Sequence, residues 1–346
     1  MTVDSQSIAA EPRETGTEVR DDRLLSRRRP RLAPYSGVLL LIGFVVFFSL
    51  RLPDTFPTTA TVTSIAGDQS ITLILALGLL VTLAVGQFDL SAAQTLGMSA
   101  IVCSVLMAEH HVNPVLAVLL TLLAGLAVGS VNAILVTVVG MESLIATLGM
   151  SSVLLALTGL FSNYQFVGPV PAGFQSFANH EVLGFPVIAL YALGLSLLVW
   201  YVLEHTPLGR RAFAVGANPD ASRLAGVRTG RYVAGSLIAG SLLASVAGIL
   251  VTAKIGSVAP TLGPAYLLPS FAACFLATTQ IKPGRFNVGG TVLALVLLAT
   301  GVKGLQLMGN KLWVTDMFNG LALLAAVSAA VLSAKRAPRR ERRRSR

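Results

Sequence analysis

Long apolar runs recur along nearly the whole chain, and they constrain its fold more than any other feature. A helix of about 20 predominantly apolar residues is long enough to cross a bilayer. Hydrophobic residues make up 54% of the 346 residues and charged residues only 12%, roughly half the charged share of an ordinary soluble domain. Helices satisfy every backbone polar group inside lipid, so the sequence predicts an all-α integral membrane protein.

Ten apolar windows predict ten membrane-spanning helices. Their approximate bounds are 36–51, 70–86, 90–108, 114–139, 143–161, 186–203, 231–253, 265–279, 286–307 and 313–334. We expect a basic, disordered tail over residues 1–35, the membrane domain over 36–334, and a second basic tail over 335–346.

The distribution of Lys and Arg predicts how the spans are oriented, because short loops rich in these residues stay in the cytoplasm. Both tails and the loops at 204–230 and 280–286 are basic, whereas the opposite loops hold only Arg51, Lys254 and Lys311. We therefore expect both termini and the loop 204–230 to be cytoplasmic, with the tails attracting anionic lipid. Neither tail interleaves its arginines with stacking aromatics, so nucleic-acid binding is not expected.

Two segments depart from plain spanning helices. The apolar run 71–85 is short for a bilayer crossing and ends in the polar stretch 86–91, which predicts a discontinuous helix lining a cavity. The segment 264–279 is also short and carries Pro264 and Pro269, which indicates a tilted or partly re-entrant helix.

Neutral and acidic polar residues cluster near the second, third and fourth spans. Asp89 is either the N-cap of the third helix or a pathway residue, and the two roles are compatible. The amides are suited either to bonding hydroxyls in transit or to hydrogen bonds between helices. The candidate translocation-pathway residues are Gln87, Asp89, Ser91, Gln94 and Asn132.

A lysine, an acidic and histidine-containing turn, and two cysteines are further candidates for a functional role, but the sequence supports them less. Lys303, in the outer half of the ninth predicted span, either marks a polar path or extends its amine outward to the headgroups. No metal site is predicted, because the adjacent residues 109–111 (Glu, His, His) are too close in sequence to surround one ion. Cys103 and Cys274 fall within apolar runs and are expected to be packing residues.

A short helix is predicted within the loop 204–230. Asn218 is a good N-cap, Pro219 suits the first helical position, and Asp220 complements the positive end of the helix dipole. Gly226 supplies a stop after about two turns. This local pattern is typical of a helix lying outside the membrane.

The residues of this helix form an apolar face with a basic edge. Ala221, Leu224 and Ala225 fall on one face, and Arg223 points elsewhere. Two interpretations remain open: a helix resting on lipid headgroups, or a docking helix for a cytoplasmic partner.

Several segments resemble the ribose-type ABC-transporter permeases, the membrane subunits of bacterial simple-sugar importers. The stretch from Leu208 to Val227 resembles the family's cytoplasmic coupling loop, and Phe88-Asp89-Leu90-Ser91 resembles its glycine-isoleucine-aspartate-leucine-serine turn. Residues 144–150 and 242–250 are also similar, and the likeness extends from 37 to 335.

The resemblance implies a multi-pass permease of the bacterial inner membrane, importing a monosaccharide or related polyol by ATP-driven alternating access. It implies a homodimer or pseudodimer that encloses the path, two cytoplasmic ATPase subunits and an extracytoplasmic solute-binding protein. This chain would bind no cofactor and catalyse no reaction, since ATP and Mg belong to the partner ATPase; the sequence carries no Gly-Lys-Ser or Gly-Lys-Thr phosphate loop. The implied ATPase-coupling residues are Gly209, Arg210, Asn218, Pro219, Asp220, Ala221, Arg223, Leu224 and Gly226.

Two other classes of membrane protein compete with the permease. An ion-coupled secondary transporter of a small polar solute normally uses a membrane-embedded acidic residue, for which Asp89 is the candidate. An intramembrane enzyme would need convergent catalytic groups, and with four histidines, none of them within a predicted span, the sequence does not indicate them.

Overall fold

A computed structural model describes residues 36–309 and 313–342, with residue 36 and residues 329–342 as backbone only. The helices in this part of the chain are α1 Ser36–Arg51, α2 Thr59–Ala84, α3 Ala92–Ala108, α4 Pro114–Thr137, α5 Ser143–Ser162, α6 Ala172–Asn179, α7 Val187–His205, α8 Pro207–Ala217, α9 Pro219–Leu224, α10 Thr229–Ile255, α11 Leu267–Ala277, α12 Val288–Leu307 and α13 Trp313–Arg342. A 3-10 turn, Gly263–Tyr266, precedes α11. A short antiparallel hairpin pairs β1 Glu181–Val182 with β2 Phe185–Pro186.

Helices occupy every predicted window, and this agrees with the all-α membrane class. Six of them, α2, α4, α5, α7, α10 and α12, are long and apolar enough to cross a bilayer, while α1, α3, α11 and α13 contribute shorter apolar stretches. The figure of ten crossings stays a prediction. The disorder predicted for residues 1–35 lies outside the described residues, and α13 continues past the predicted boundary at 334 to Arg342.

The prediction that the second span is short is wrong, whereas the predicted helix break in the stretch 86–91 is confirmed. α2 is one continuous helix of 26 residues that begins after Thr58, whose hydroxyl accepts a hydrogen bond from the Thr61 N–H at 3.2 Å. Its first half is rich in Thr, Ser, Asp and Gln, which depress hydropathy, yet Ser70 and Thr72 are buried against the rest of the protein. The break lies after α2, in the turn at 86–91.

The prediction of a short helix within the segment 264–279 is confirmed, and this helix is α11. α11 has 11 residues, which at 1.5 Å per residue gives roughly 16 Å, about half the thickness of the hydrocarbon core. It packs against α12, α13 and α2.

The core is organised around α10, which packs along α2, α3 and α4. Glycines allow these close approaches, because small residues let helix backbones come near one another. A Cβ on Gly129 would lie 2.8 Å from the Ile238 Cα, and one on Gly248 would lie 2.5 Å from the Leu96 carbonyl oxygen. A Cβ on Gly125 would overlap the Ser245 side chain. These contacts fix how closely α10 approaches α3 and α4.

Replacing Gly125 with Leu is expected to destabilise the fold. The new side chain would force α4 away from α10, and overpacking of this kind costs about 1–3 kcal/mol. Thermal unfolding in detergent should show a lower Tm than the wild type. Gly194→Leu is the matched control, because a Cβ at Gly194 meets no atom within 4 Å; equal Tm values for the two variants would contradict the close packing of α4 on α10.

The long helices end at two different faces of the protein. One end, here called the coupling face, carries α8, α9 and the loop 278–287; the Lys282 amine lies 2.7 Å from the Glu204 carboxylate at the end of α7. The opposite face carries α6 and the hairpin, neither of which was predicted from the sequence. There the Asn179 amide donates to the Lys254 carbonyl at 3.0 Å, so this segment covers the end of α10.

Candidate coupling and pathway site

The segment 204–217, treated as loop in the sequence analysis, contains a second helix, α8. Its N-cap is Thr206, whose hydroxyl accepts a hydrogen bond from the Gly209 N–H at 3.4 Å, and Pro207 occupies the first turn. The same cap-then-proline pattern that predicted α9 was therefore present twelve residues earlier. Together α8 and α9 form one element, here called the coupling element (residues 207–226).

The predicted helix α9 is confirmed with its N-cap. The Asn218 side chain accepts a hydrogen bond from the Ala221 N–H at 2.9 Å, and Gly226 ends the segment with a φ of 80°. Ser222 is buried, whereas Leu224 is 92% exposed. The apolar face of α9 is therefore not used in packing within the described chain.

The other coupling residues named from the sequence also lie on the surface, with one exception. Arg210, Asp220, Ala221 and Arg223 are exposed, while Gly209 is buried against the Leu203 backbone where α7 meets α8. The exposed positions suit contact with a partner, and Gly209 instead sets the angle between two helices.

α8 is anchored to the end of α2. Val85 forms a small buried cluster with Ala212 and Val215 of α8. Gly216 packs against the Ala84 carbonyl and also against Gly86, where a Cβ on Gly86 would lie 3.4 Å from the Gly216 Cα. The coupling element and the turn at 86–91 are therefore in direct contact.

Charged groups brace α8 from two other sides. The Arg285 guanidinium lies 3.8 Å from the centre of the Phe213 ring and 3.7 Å from the Glu204 carboxylate. On α8 itself, Arg211 donates to the Tyr232 hydroxyl at 3.4 Å, and this hydrogen bond raises the pKa of the guanidinium. α8 is thus tied to the loop 278–287 and to α10.

The turn between α2 and α3 is held by hydroxyls from α5. The Phe88 N–H donates to Ser143 Oγ at 3.1 Å, and the Leu90 N–H donates to Thr147 Oγ1 at 3.0 Å. Sequence reasoning missed both hydroxyls. The only available signal was a pair of polar residues at i and i+4 at the start of an apolar helix.

Asp89 is completely buried at the centre of this turn. Its Oδ1 accepts hydrogen bonds from the Ser91 N–H at 2.9 Å and from Ser91 Oγ at 2.6 Å. The Asn132 amide of α4 donates to the same Ser91 hydroxyl at 2.8 Å. The prediction that Asp89 is the N-cap of the third helix is wrong, because Ser91 holds that position; the Asp89 carboxylate instead binds the Ser91 N–H from two residues upstream.

The structure therefore brings together three of the predicted pathway residues, Asp89, Ser91 and Asn132. Gln94 lies buried less than one turn further along α3, and Gln87 is half-buried at the start of the turn. Within the part of the chain that the structure describes, Asp89 Oδ2, Gln94 Oε1 and Asn132 Oδ1 find no hydrogen-bond donor. Contact with a solute would require the surrounding helices to separate, so the pathway role stays a prediction.

A polar cavity of about 280 Å³ opens between α2, α12 and α13, toward the opposite face. Lys303 lines it and donates to Ser64 Oγ at 2.8 Å in a partly buried contact. Both interpretations of Lys303 stay predictions, because a partly buried amine near the end of α12 fits either of them. The cavity combines carboxylates, an amine, amides and a hydroxyl: Asp68, Gln69, Thr72, Lys303, Asp316 and Asn319.

The described residues thus combine apolar helices of membrane-spanning length, a surface element joined to a buried turn, and a polar cavity at the other face, an arrangement that suits a membrane permease. Residues 61–327 match the family model described as branched-chain amino acid transport system / permease component. The chain belongs to this family of ABC-transporter permease subunits, which are not themselves enzymes.

Individual relatives agree with this family. The ribose import permease of Bacillus subtilis (strain 168) is 30% identical over 307 residues, covering 86% of this chain and 91% of the relative. The autoinducer 2 import system permease of Escherichia coli (strain K12) is 31% identical over 269 residues, 76% and 81% of the two chains. The D-allose transport system permease of the same strain is 26% identical over 302 residues, 87% and 92%.

No solved structure matches the chain. The family predicted from the coupling-loop motif is confirmed, and nothing in these relatives favours the ion-coupled alternative.

Proposed function

We propose that this chain is the membrane subunit of an ATP-driven importer in the bacterial plasma membrane, and that its solute is a monosaccharide or related polyol. The names of the ribose and D-allose permeases support the solute class. The observation that carries the proposal is the coupling element, which offers an exposed apolar residue on α9 and packs through α8 against the turn that holds Asp89.

In this proposal a separate ATPase binds ATP and Mg and docks on α9. We expect this ATPase to have a pocket for Leu224, because a small apolar face with exposed Arg and Asp neighbours suits a protein pocket better than it suits lipid. The coupling face is then cytoplasmic, and both termini lie on that side.

Closure of the ATPase would be transmitted through α8. Because Gly216 touches the end of α2 and Gly86, a shift of α8 moves the turn at 86–91. That turn is bonded to α5 through Ser143 and Thr147. The Ser91 hydroxyl adds a bond to α4 through Asn132. Four helices thus meet at one buried point, and their separation there would open the path inward.

The solute would enter from the opposite face, delivered by a solute-binding protein. The cavity at Lys303 pairs hydrogen-bonding groups with an apolar wall that includes Pro269 and Leu298. Hydroxyls that both donate and accept, on a ring with apolar faces, match such a lining. A second copy of the chain would complete the transporter as a homodimer.

Changing Lys303 to Met is expected to slow uptake by about tenfold at a fixed concentration of loaded binding protein. The variant removes a charged hydrogen-bond donor, whose contribution is about 1.5–3 kcal/mol. ATP hydrolysis without solute should be unchanged. Arg51→Met, at the end of α1 on the same face, is the control. Equal uptake by the Lys303 variant and the wild type would exclude this cavity from the path.

The proposed function is tested by uptake of labelled ribose or D-allose into proteoliposomes that contain this permease, its ATPase and its binding protein. Uptake should require ATP and stop when the ATPase is omitted. Uptake that persists without ATP and collapses with an ion gradient would contradict the proposal and favour the secondary transporter.

A further inference from the structure

An apolar groove runs into the protein at the coupling face. It has a volume of about 410 Å³ and lies between α2, α7, α8 and α10. Apolar side chains and small residues form most of its wall, among them Val81, Val85, Val202, Leu208, Gly235 and Ala239.

The groove follows one face of α10 from the helix start into the membrane. Arg231, Gly235 and Ala239 are four residues apart, so they lie one above another and span roughly 12 Å along the helix axis. A leaflet's hydrocarbon is about 15 Å thick. A Cβ added at Gly235 meets no atom within 4 Å, so the groove is open at mid-length.

A basic pocket adjoins the outer end of this groove. It has a volume of about 370 Å³ and is lined by Arg211, Arg228 and Arg231, with Tyr232 and the segment 225–227. All three arginines are exposed, and none of the described residues that line the pocket is acidic. Arg231 and Tyr232 line both cavities, so the two lie side by side at the start of α10.

A single ligand that fills both cavities must have an anionic head and an apolar chain. Guanidinium groups bind phosphate oxygens in forked, charge-assisted hydrogen bonds, and basic pockets beside membrane helices suit lipid headgroups. An acidic protein surface would satisfy the arginines but would leave the groove along Gly235 and Ala239 unfilled. We propose that one anionic phospholipid binds here, with its phosphate at Arg228 and Arg231 and an acyl chain along α10.

The bound lipid would touch the joint between the coupling element and the membrane domain. Val85 and Ala212 line the groove and also pack together where α8 meets α2. The lipid therefore braces α8 from the membrane side. The residues that line this site belong to the end of α2, to α7 and to the segment 208–239 and not to the basic tails, and the site does not depend on the identity of the transported solute.

The test is native mass spectrometry of the full chain in detergent, titrated with dioleoylphosphatidylglycerol or with dioleoylphosphatidylcholine. The wild type should retain one phosphatidylglycerol and bind it more tightly than phosphatidylcholine. Each arginine near a headgroup is worth about fivefold in affinity, so the double variant Arg228→Gln/Arg231→Gln should lose about 25-fold for phosphatidylglycerol. Arg51→Gln, on the opposite face, is the charge control.

A second variant tests the groove itself. Gly235→Leu fills the open space and should lower the retention of phosphatidylglycerol, whereas Gly194→Leu, another uncrowded glycine on a membrane helix, should not. If Gly235→Leu does not fold, the exposed arginines still give a readout, because their removal disturbs no packing. Equal retention of both lipids by the wild type, or unchanged affinity in the arginine variant, would overturn the proposal. The proposal would also be overturned if the arginine variant lost its ATPase but kept the lipid.

Discussion

Replacing Leu224 with Asp is expected to abolish ATP-driven uptake and leave the permease folded. Leu224 is 92% exposed within the described chain, so no internal packing is lost. In the complex, the new carboxylate would enter an apolar pocket of the ATPase without a partner charge. Burial of an unpaired charge costs several kcal/mol, and a loss of about 3 kcal/mol weakens binding by roughly 100-fold. The ATPase should no longer co-purify.

Leu183→Asp is the matched control for this experiment. Leu183 is 98% exposed and lies on the opposite face, in the hairpin. Its φ of 53° is left-handed, a conformation that Asp tolerates. Both variants should melt like the wild type, but only Leu224→Asp should lose the ATPase. Retention of the ATPase by Leu224→Asp would indicate that α9 rests on lipid headgroups instead.

Local rules predicted α9 because its signals are close in sequence. A capping side chain, a proline, an acidic residue and a terminal glycine all fall within 218–226. α8 carries the same start signal at Thr206 and Pro207, but it was missed because its two arginines and the motif resemblance suggested a loop. The overall hydropathy of a surface helix of this length is low, so its cap and the spacing of its apolar residues mark it better than a hydropathy window does.

The errors around α2 and the turn have a different cause. A hydropathy window assumes that polar residues avoid the membrane, yet Ser70 and Thr72 are buried inside the protein. Partners of the turn lie far along the chain: Ser143 binds Phe88 and Thr147 binds Leu90. The sequence could indicate that Asp89, Ser91 and Asn132 are polar and close to spans. It could not indicate which hydrogen bonds these residues form with one another, because those bonds depend on how the helices pack.

The contact between α8 and the end of α2 joins two glycines, Gly86 and Gly216, that lie far apart in the sequence. Gly216 lies in the last turn of α8 and Gly86 begins the turn at 86–91, and neither residue has a side chain that indicates a role. Their function is to let two backbones touch. The same closeness makes the joint stiff, because backbone atoms cannot rotate away as a flexible side chain can.

Changing Gly216 to Ala is therefore expected to uncouple transport. The added Cβ would overlap the Ala84 carbonyl oxygen and lie 3.0 Å from the Val85 carbonyl carbon. Relief requires α8 to move away from α2, at a cost of about 1–3 kcal/mol. The solute transported per ATP hydrolysed should fall by about tenfold, because ATPase closure would no longer displace the turn at 86–91. The same variant should lower the Tm of the purified permease.

Gly230→Ala separates this steric effect from a change in helix propensity. Gly216 and Gly230 both lie in helices on the coupling face, and Ala favours a helix over Gly by about 1 kcal/mol. A Cβ at Gly230 meets no atom within 4 Å, so this variant should melt at or slightly above the wild-type Tm and keep the wild-type transport ratio. If Gly216→Ala transports as much solute per ATP as Gly230→Ala, α8 does not act through its contact with α2. Coupling would then have to pass through the other supports of α8, the Arg285 contact with Phe213 and the Arg211 hydrogen bond to Tyr232.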